Sequence, residues 1–190
     1  MNKHEKSPGW LSLSKEEVYK STVFSLMKER SRCLRTGAEN DFYYFKCVNW
    51  INVIAVTESS ELLMIRQYRH GSGQTELEIP GGAIDASDTD PLEAGTRELF
   101  EETGCSGTPV GIIGRVCPNP ALQGNICHTA LIRDVKKIAD PRMESTEDIE
   151  SFFIPHSEVR KKIKDGEIRH GLVLNALHFY ELYLEQTDKY

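Results

Sequence analysis

The sequence predicts an α/β protein: an α/β/α sandwich around a mixed sheet, with a small β-rich segment ahead of it. Three observations predict this. Short apolar runs bounded by turn residues alternate with amphipathic stretches of helical period. One central helix carries a complete set of capping signals, and the first 46 residues have a separate, aromatic texture.

Residues 1–46 come first. Trp10, Leu11 and Leu13 suggest a short strand, Val18 to Leu26 a mixed segment, and Asp41 to Phe45 an aromatic strand after a turn at Gly37. The block is too small for a core of its own and has to pack on something larger. Residues 47–190 form the main domain. INVIAVT (51–57) is a nearly continuous apolar strand, and ELLMIRQYRHG, beyond a turn at Glu58-Ser59-Ser60, reads as its hairpin partner; both are expected to be central strands. The second delivers Arg66, Gln67, Tyr68 and Arg69 where it leaves the sheet. Arg69 is a candidate for binding phosphate or carboxylate, because a guanidinium offers forked donors. Along Glu76-Leu77-Glu78-Ile79, alternation sets the two glutamates opposite the two apolar residues, with Glu78 available as an acidic contact or as an ion-pair partner of Arg97.

The helix follows a glycine turn and an acidic loop. Asp90 is an N-cap residue, Pro91 suits the first helical position, Glu93 stands where a capping box places its carboxylate, and Gly104 can close the helix in a left-handed conformation. The helix should therefore run from about Pro91 to Thr103. At about 100° per residue, Glu98, Glu101 and Glu102 share one face, while Leu92 and Leu99 fall on another. Glu98 and Glu102 repel by a few tenths of a kcal/mol at their four-residue spacing, a penalty that a cation removes. Three carboxylates beside a glycine turn with open carbonyls suit Mg²⁺ or Mn²⁺.

Beyond the helix, VGIIGRV reads as a strand, CPNPALQGN as a stiff loop containing Pro120, and ICHTALIR as a last core strand. An acidic stretch with Glu144, Glu147 and Asp148 precedes the apolar strand around Phe152. Ser157 is expected to cap a helix that ends near Gly166, and residues 171–186 form a final helix with an apolar stripe that covers the sheet. His170 and His178 read as surface or packing residues.

Composition narrows the function. The chain has 190 residues and a formal net charge of −6, which argues against a nucleic-acid surface but leaves room for a small phosphate substrate once divalent cations reverse the local field. It contains no run of membrane-spanning length and no signal-peptide pattern at its start, so a cytoplasmic protein without a membrane partner is expected. Five cysteines without a CxxC pair suggest reduced core thiols.

The stretch Arg97-Glu98-Leu99-Phe100-Glu101-Glu102-Thr103-Gly104, preceded by Gly82, resembles the signature of the Nudix hydrolases, whose loop-helix-loop binds metal. It departs from that signature at Asp88, where a glutamate is usual, and in one extra residue between this position and Arg97. The resemblance implies a Nudix-like sandwich and metal ligation by Glu98, Glu101, Glu102 and the Gly81 carbonyl. It also implies an orienting role for Arg97, and as catalytic base either a loop glutamate, Glu147 ahead of Glu144, or a helix glutamate such as Glu98 or Glu101. RQYR ahead of Glu78-Ile79-Pro80-Gly81-Gly82, together with Pro120 fifteen residues past Cys105, is similar to the branch that splits ADP-ribose and nucleoside diphosphate sugars. In that branch Arg69, Glu78 and Pro120 would meet substrate, and residues 1–46 would build a homodimer. The implied reaction is Mg²⁺-dependent hydrolysis of the diphosphate to a nucleoside monophosphate and a sugar phosphate. The alternatives are a Nudix hydrolase acting on a dinucleoside polyphosphate, coenzyme A or NADH, and a non-catalytic sensor of nucleotide sugars.

Overall fold

The structure, a computed structural model, describes residues 9–187. Positions 1–8 of the expected N-terminal segment lie outside the described residues. The chain divides into two compact units: one is the N-terminal part up to Val48 with Cys117–Asn125, the other is Asn49–Val116 with Ile126 onward.

The smaller unit is an antiparallel meander of β1 (Trp10–Lys20), β2 (Phe24–Cys33) and β3 (Glu39–Cys47). The segment read as mixed, Val18 to Leu26, is the β1–β2 hairpin, whose turn is closed by Ser21: its Oγ donates to the Phe24 carbonyl and accepts from the Phe24 N–H. Gly37 has φ +75°, as the β2–β3 turn requires. The loop Cys117–Asn125 is tied to this unit where Phe45 N donates to the Leu122 carbonyl and Asn125 Nδ2 to the Val48 carbonyl. β1 is exposed along its whole length.

The larger unit is the expected α/β sandwich. One sheet has the order β7-β4-β9-β8, from β4 (Trp50–Ala55), β7 (Gly81–Ala83), β8 (Cys105–Val116) and β9 (Cys127–Lys137); β4 and β9 are parallel and the other pairs antiparallel. A second, antiparallel sheet has the order β10-β5-β6, from β5 (Glu61–Arg69), β6 (Gln74–Glu78) and β10 (Ile149–Pro155). Alternation splits β4 between two cores. Ile51, Val53 and Ala55 meet Ala94 and Leu99 of α1 (Pro91–Thr103), whereas Ile54 and Val56 join Val173, Ala176 and Leu177 of α3 (Gly171–Thr187) and Val159 of α2 (His156–Lys164).

Three local expectations are corrected. β4 and β5 are not a hairpin: β7 and β9 occupy both edges of β4, so only Val56 meets Leu62, and β5 pairs instead with β6 and β10. Ser157 does not cap α2, which begins one residue earlier behind Pro155 without a side-chain cap. Of the five thiols only Cys105 and Cys127 are buried, and Cys117 is exposed. Among the described residues no helix is long and apolar enough to cross a membrane.

Candidate active site

The acidic helix forms as its caps dictate. Asp90 accepts from the N–H groups of Leu92 and Glu93, and Gly104, at φ +69°, returns its N–H to the Phe100 carbonyl. The capping box is displaced by one residue: Glu93 Oε2 accepts from Thr89 N at 2.7 Å and not from Asp90 N. Leu99 and Ala94 face the core, which turns the other face of α1 toward the Pro80-Gly81-Gly82 turn.

Two glutamates are pressed into that turn. Glu102 is 3% exposed and accepts from Gly81 N at 3.0 Å. Burial, opposed by that N–H and reinforced by the charges of Glu98 and Glu147, pushes its carboxyl up to about 8. Glu98 lies where the Cβ of any residue at 82 would stand, 2.5 to 2.8 Å from its carboxylate atoms, so glycine there is a condition of its position. Burial pushes Glu98 up to about 7 against the nearby Arg97 charge, with Glu101 and Glu147 adding to the rise.

Arg97 organises the polar side. It donates to Asp88 through Nε (3.1 Å) and Nη2 (3.0 Å), and through Nη1 to Glu98 (3.0 Å) and Glu101 (2.9 Å). Its Nη2 also reaches the Ala83 carbonyl at 3.2 Å. Asp88, uncertain from the sequence because of the extra residue, is therefore the anchor of Arg97, and the guanidinium holds that carboxyl below its ordinary range. Glu101 is drawn outward by this contact, its side chain 42% exposed.

Glu78 does not pair with Arg97, as was one expectation. It receives Arg69 Nε at 2.9 Å and Nη2 at 2.8 Å, and His170 Nδ1 stands 3.2 Å from its Oε2. The cause is strand direction: Glu78 leaves β6 beside β5, which carries Arg69, while α1 lies over the other sheet. Burial raises the Glu78 carboxyl, but the bonds from Arg69 and His170 outweigh it and hold the group at about 2. The bond to Glu78, together with the charges of Glu102 and Glu147, favours the charged form of Arg69.

Glu147 lies close enough to raise Glu98 and Glu102 by its charge, but its Oε2 accepts from Glu144 N at 2.9 Å, folding the side chain onto its own loop. The start of that loop is fastened to α1: Arg142 N donates to the Glu101 carbonyl at 2.7 Å and its guanidinium lies over the Phe100 ring. Pro120 is exposed in the Cys117–Asn125 loop. The His170 and Arg142 contacts were missed by sequence reasoning, and no local pattern announces them, since each joins segments far apart in the chain.

Among the described residues no three His, Cys, Asp or Glu side chains already converge as a metal cage. The donors nonetheless fit a hard divalent cation in kind. Among the described residues Glu102 is a buried carboxylate with one N–H donor and no cationic partner within bonding distance, next to the charge of Glu98, and a cation supplies what Glu102 lacks.

Residues 49–177 match the NUDIX domain. The chain is 23% identical over 172 residues to an ADP-ribose pyrophosphatase of Bacillus subtilis (strain 168), covering 90% of this chain and 92% of that protein. It is 22% identical over 166 residues to an ADP-ribose pyrophosphatase of Mycobacterium tuberculosis (strain H37Rv), covering 86% and 79%. A crystal structure titled as that of an ADP compounds hydrolase superposes with a TM-score of 0.81 at 17% identity, over 94% of this chain and 96% of that one, which is a likeness of fold.

Proposed function

Since the chain belongs to the NUDIX family, we propose that it hydrolyses the diphosphate linkage of ADP-ribose or a related nucleoside diphosphate sugar with Mg²⁺, giving a nucleoside monophosphate and a sugar phosphate. The single observation that carries this reading is the buried Glu102 with the half-buried Glu98 beside it, held against Gly81 and Gly82, with no cationic partner of Glu102 among the described residues. The choice of ADP-ribose is supported by the names of the two bacterial relatives.

In this reading Glu98, Glu101, Glu102 and the Gly81 carbonyl hold the cation. When bound, Mg²⁺ supplies charge neutralisation of the diphosphate and Lewis acidity toward an attacking water. Arg97 keeps Glu98 and Glu101 in place from behind, and its anchorage on Asp88 keeps its own charge out of the substrate's way. Arg69 grips a phosphate oxygen, with Glu78 fixing the guanidinium plane. Glu147, released from Glu144 N as its loop moves, takes the proton from water. The small unit pairs with a second copy, a reading supported by the exposed Trp10, Leu11, Leu13 and Tyr19 of β1.

The test is phosphate release from ADP-ribose in the presence of a phosphatase, with and without Mg²⁺, repeated with GDP-mannose, UDP-glucose and NADH. Metal-dependent turnover of ADP-ribose is expected. Binding without turnover in either condition would replace the enzyme by a sensor. Light scattering of the full chain reads the dimer.

A further inference from the structure

We propose that His170, which opens the last helix, is a positioning residue for Arg69, acting through Glu78. What Arg69 grips rests on the proposed diphosphate hydrolysis; how Arg69 is held does not.

The physics begins with β6, which carries Glu76 and Glu78, both buried. A buried carboxylate has to be paired, and the two are paired from the same place. Arg169 donates to Glu76 through Nε and Nη2, each at 2.9 Å, and Nη2 also reaches Gln74 Oε1 at 2.6 Å. The next residue, His170, brings Nδ1 to 3.2 Å from Glu78 Oε2, a close charge contact without hydrogen-bond alignment, and Nδ1 has no hydrogen-bond partner among the described residues. The backbone that presents this imidazole is tied down on both sides. Ile168 is buried in the core, and Asn52 Nδ2 donates to the Leu172 carbonyl at 3.1 Å. His170 therefore cannot drift away from Glu78 without pulling on β4 and β6.

The consequence falls on Arg69. The terminal torsion of a glutamate is soft, so a carboxylate held from one side alone can rotate and carry its partner with it. The close approach of His170 to Oε2, the oxygen that also accepts from Arg69 Nη2, restricts rotation of the carboxylate, and the two bonds to Nε and Nη2 then fix the guanidinium plane. Of the five N–H groups of an arginine, two are used in this way and three have no protein acceptor among the described residues. The charges of Glu102 and Glu147 act on the guanidinium, so the acidic cluster is its electrostatic neighbour. An anion held by Arg69 would meet a guanidinium whose plane is set through Glu78 from the α2–α3 joint.

The experiment compares wild type, His170→Ala, His170→Gln, Arg69→Ala and the Arg69→Ala/His170→Ala double variant. The expected result is a rise in KM for ADP-ribose of about tenfold in H170A with kcat changed less than about twofold, restored to within about threefold in H170Q, whose amide can donate in place of Nδ1. In the R69A background the second substitution should add nothing, because the two residues act as one unit. A wild-type KM in H170A, or losses that multiply in the double variant, would overturn the proposal. Solvent exchange of the Arg69 Nε–H, followed by NMR without substrate, should quicken about tenfold in H170A and not in H170Q. That readout decides the positioning role even if ADP-ribose is not turned over, an outcome that would sink the functional reading alone. Should H170A fail to fold, H170N, too short to reach Glu78, takes its place in every arm.

Discussion

Gly81 and Gly82 are neighbours that ought to fail in opposite ways when given a methyl group. A Cβ on Gly81 would stand 2.2 Å from the Ile51 carbonyl oxygen and 3.0 Å from Asn52 Cα, both backbone atoms of the central strand β4. Neither atom can yield without opening the β4–β7 pairing, so Gly81→Ala should cost about 1–3 kcal/mol, which lowers the melting temperature by roughly 3–10 °C in a protein of this size. A Cβ on Gly82 meets only the Glu98 carboxylate, its nearest oxygen at 2.5 Å. That is the far end of a flexible side chain, and it must retreat by about 1 Å to reach ordinary contact. Stability should change by less than about 1 kcal/mol, because the backbone at 82 is not left-handed and replacing glycine also reduces the freedom of the unfolded chain. Turnover should nonetheless fall about 10²-fold, the usual consequence of a 1 Å misplacement of a group that holds the reacting centre. The assay pairs thermal melting with Mg²⁺-dependent ADP-ribose hydrolysis. A G82A protein with normal turnover and normal Mg²⁺ half-saturation would show that the place of Glu98 against the turn has no bearing on the chemistry.

Glu102→Gln keeps an acceptor for Gly81 N while removing a buried charge, so the metal-free protein should melt no lower than wild type while turnover drops by at least about 10²-fold; melting curves and initial rates check both. Mg²⁺ should stabilise the protein in a pH-dependent way. Glu98 and Glu102, raised to about 7 and about 8, stabilise the metal-free fold most below the ordinary carboxylate range, and that contribution is lost as pH rises through these values. Metal takes the deprotonated form, so the thermal shift on adding saturating MgCl₂ should be small near roughly pH 5.5 and grow to about 5–10 °C near roughly pH 8. An equal shift at both would contradict metal ligation by these two groups. Glu78 has the opposite sign. Held at about 2, it contributes stability that is complete above its unfolded value of 4.5 and disappears as pH falls toward 2. With Arg69 partly open to solvent this is worth about 2 kcal/mol, so Glu78→Gln should flatten the acid limb of the urea stability profile while lowering stability at neutral pH.

Much of the site was legible without coordinates because it is local. The limits of α1, its Asp90 and Gly104 caps and the common face of Glu98, Glu101 and Glu102 follow from neighbours within a few residues, and a helical period converts such spacing directly into geometry. The strands were legible as apolar runs for the same reason. What failed was pairing. The INVIAVT and ELLMIRQYR runs looked like a hairpin because adjacent strands usually pair, yet β4 had both edges taken by strands that arrive later in the chain. The ion-pair partner of Glu78 was likewise not Arg97: Arg69 sits opposite Gln74, four residues along β6, and its long side chain reaches back to Glu78, a contact not written in either segment.

By itself, then, the sequence determined on which kind of element the candidate residues sit and which of them share a face, since capping, alternation and helical spacing are near-neighbour effects. Only the tertiary structure decided their charges and partners: that Glu98 and Glu102 are squeezed against glycines, that Asp88 anchors Arg97, and that a histidine ninety-two positions beyond Glu78 comes to rest on it. The physical reason is that burial and ion pairing depend on what the rest of the chain brings within a few ångströms, and a protein's dielectric makes those contacts dominate over anything set by order along the chain.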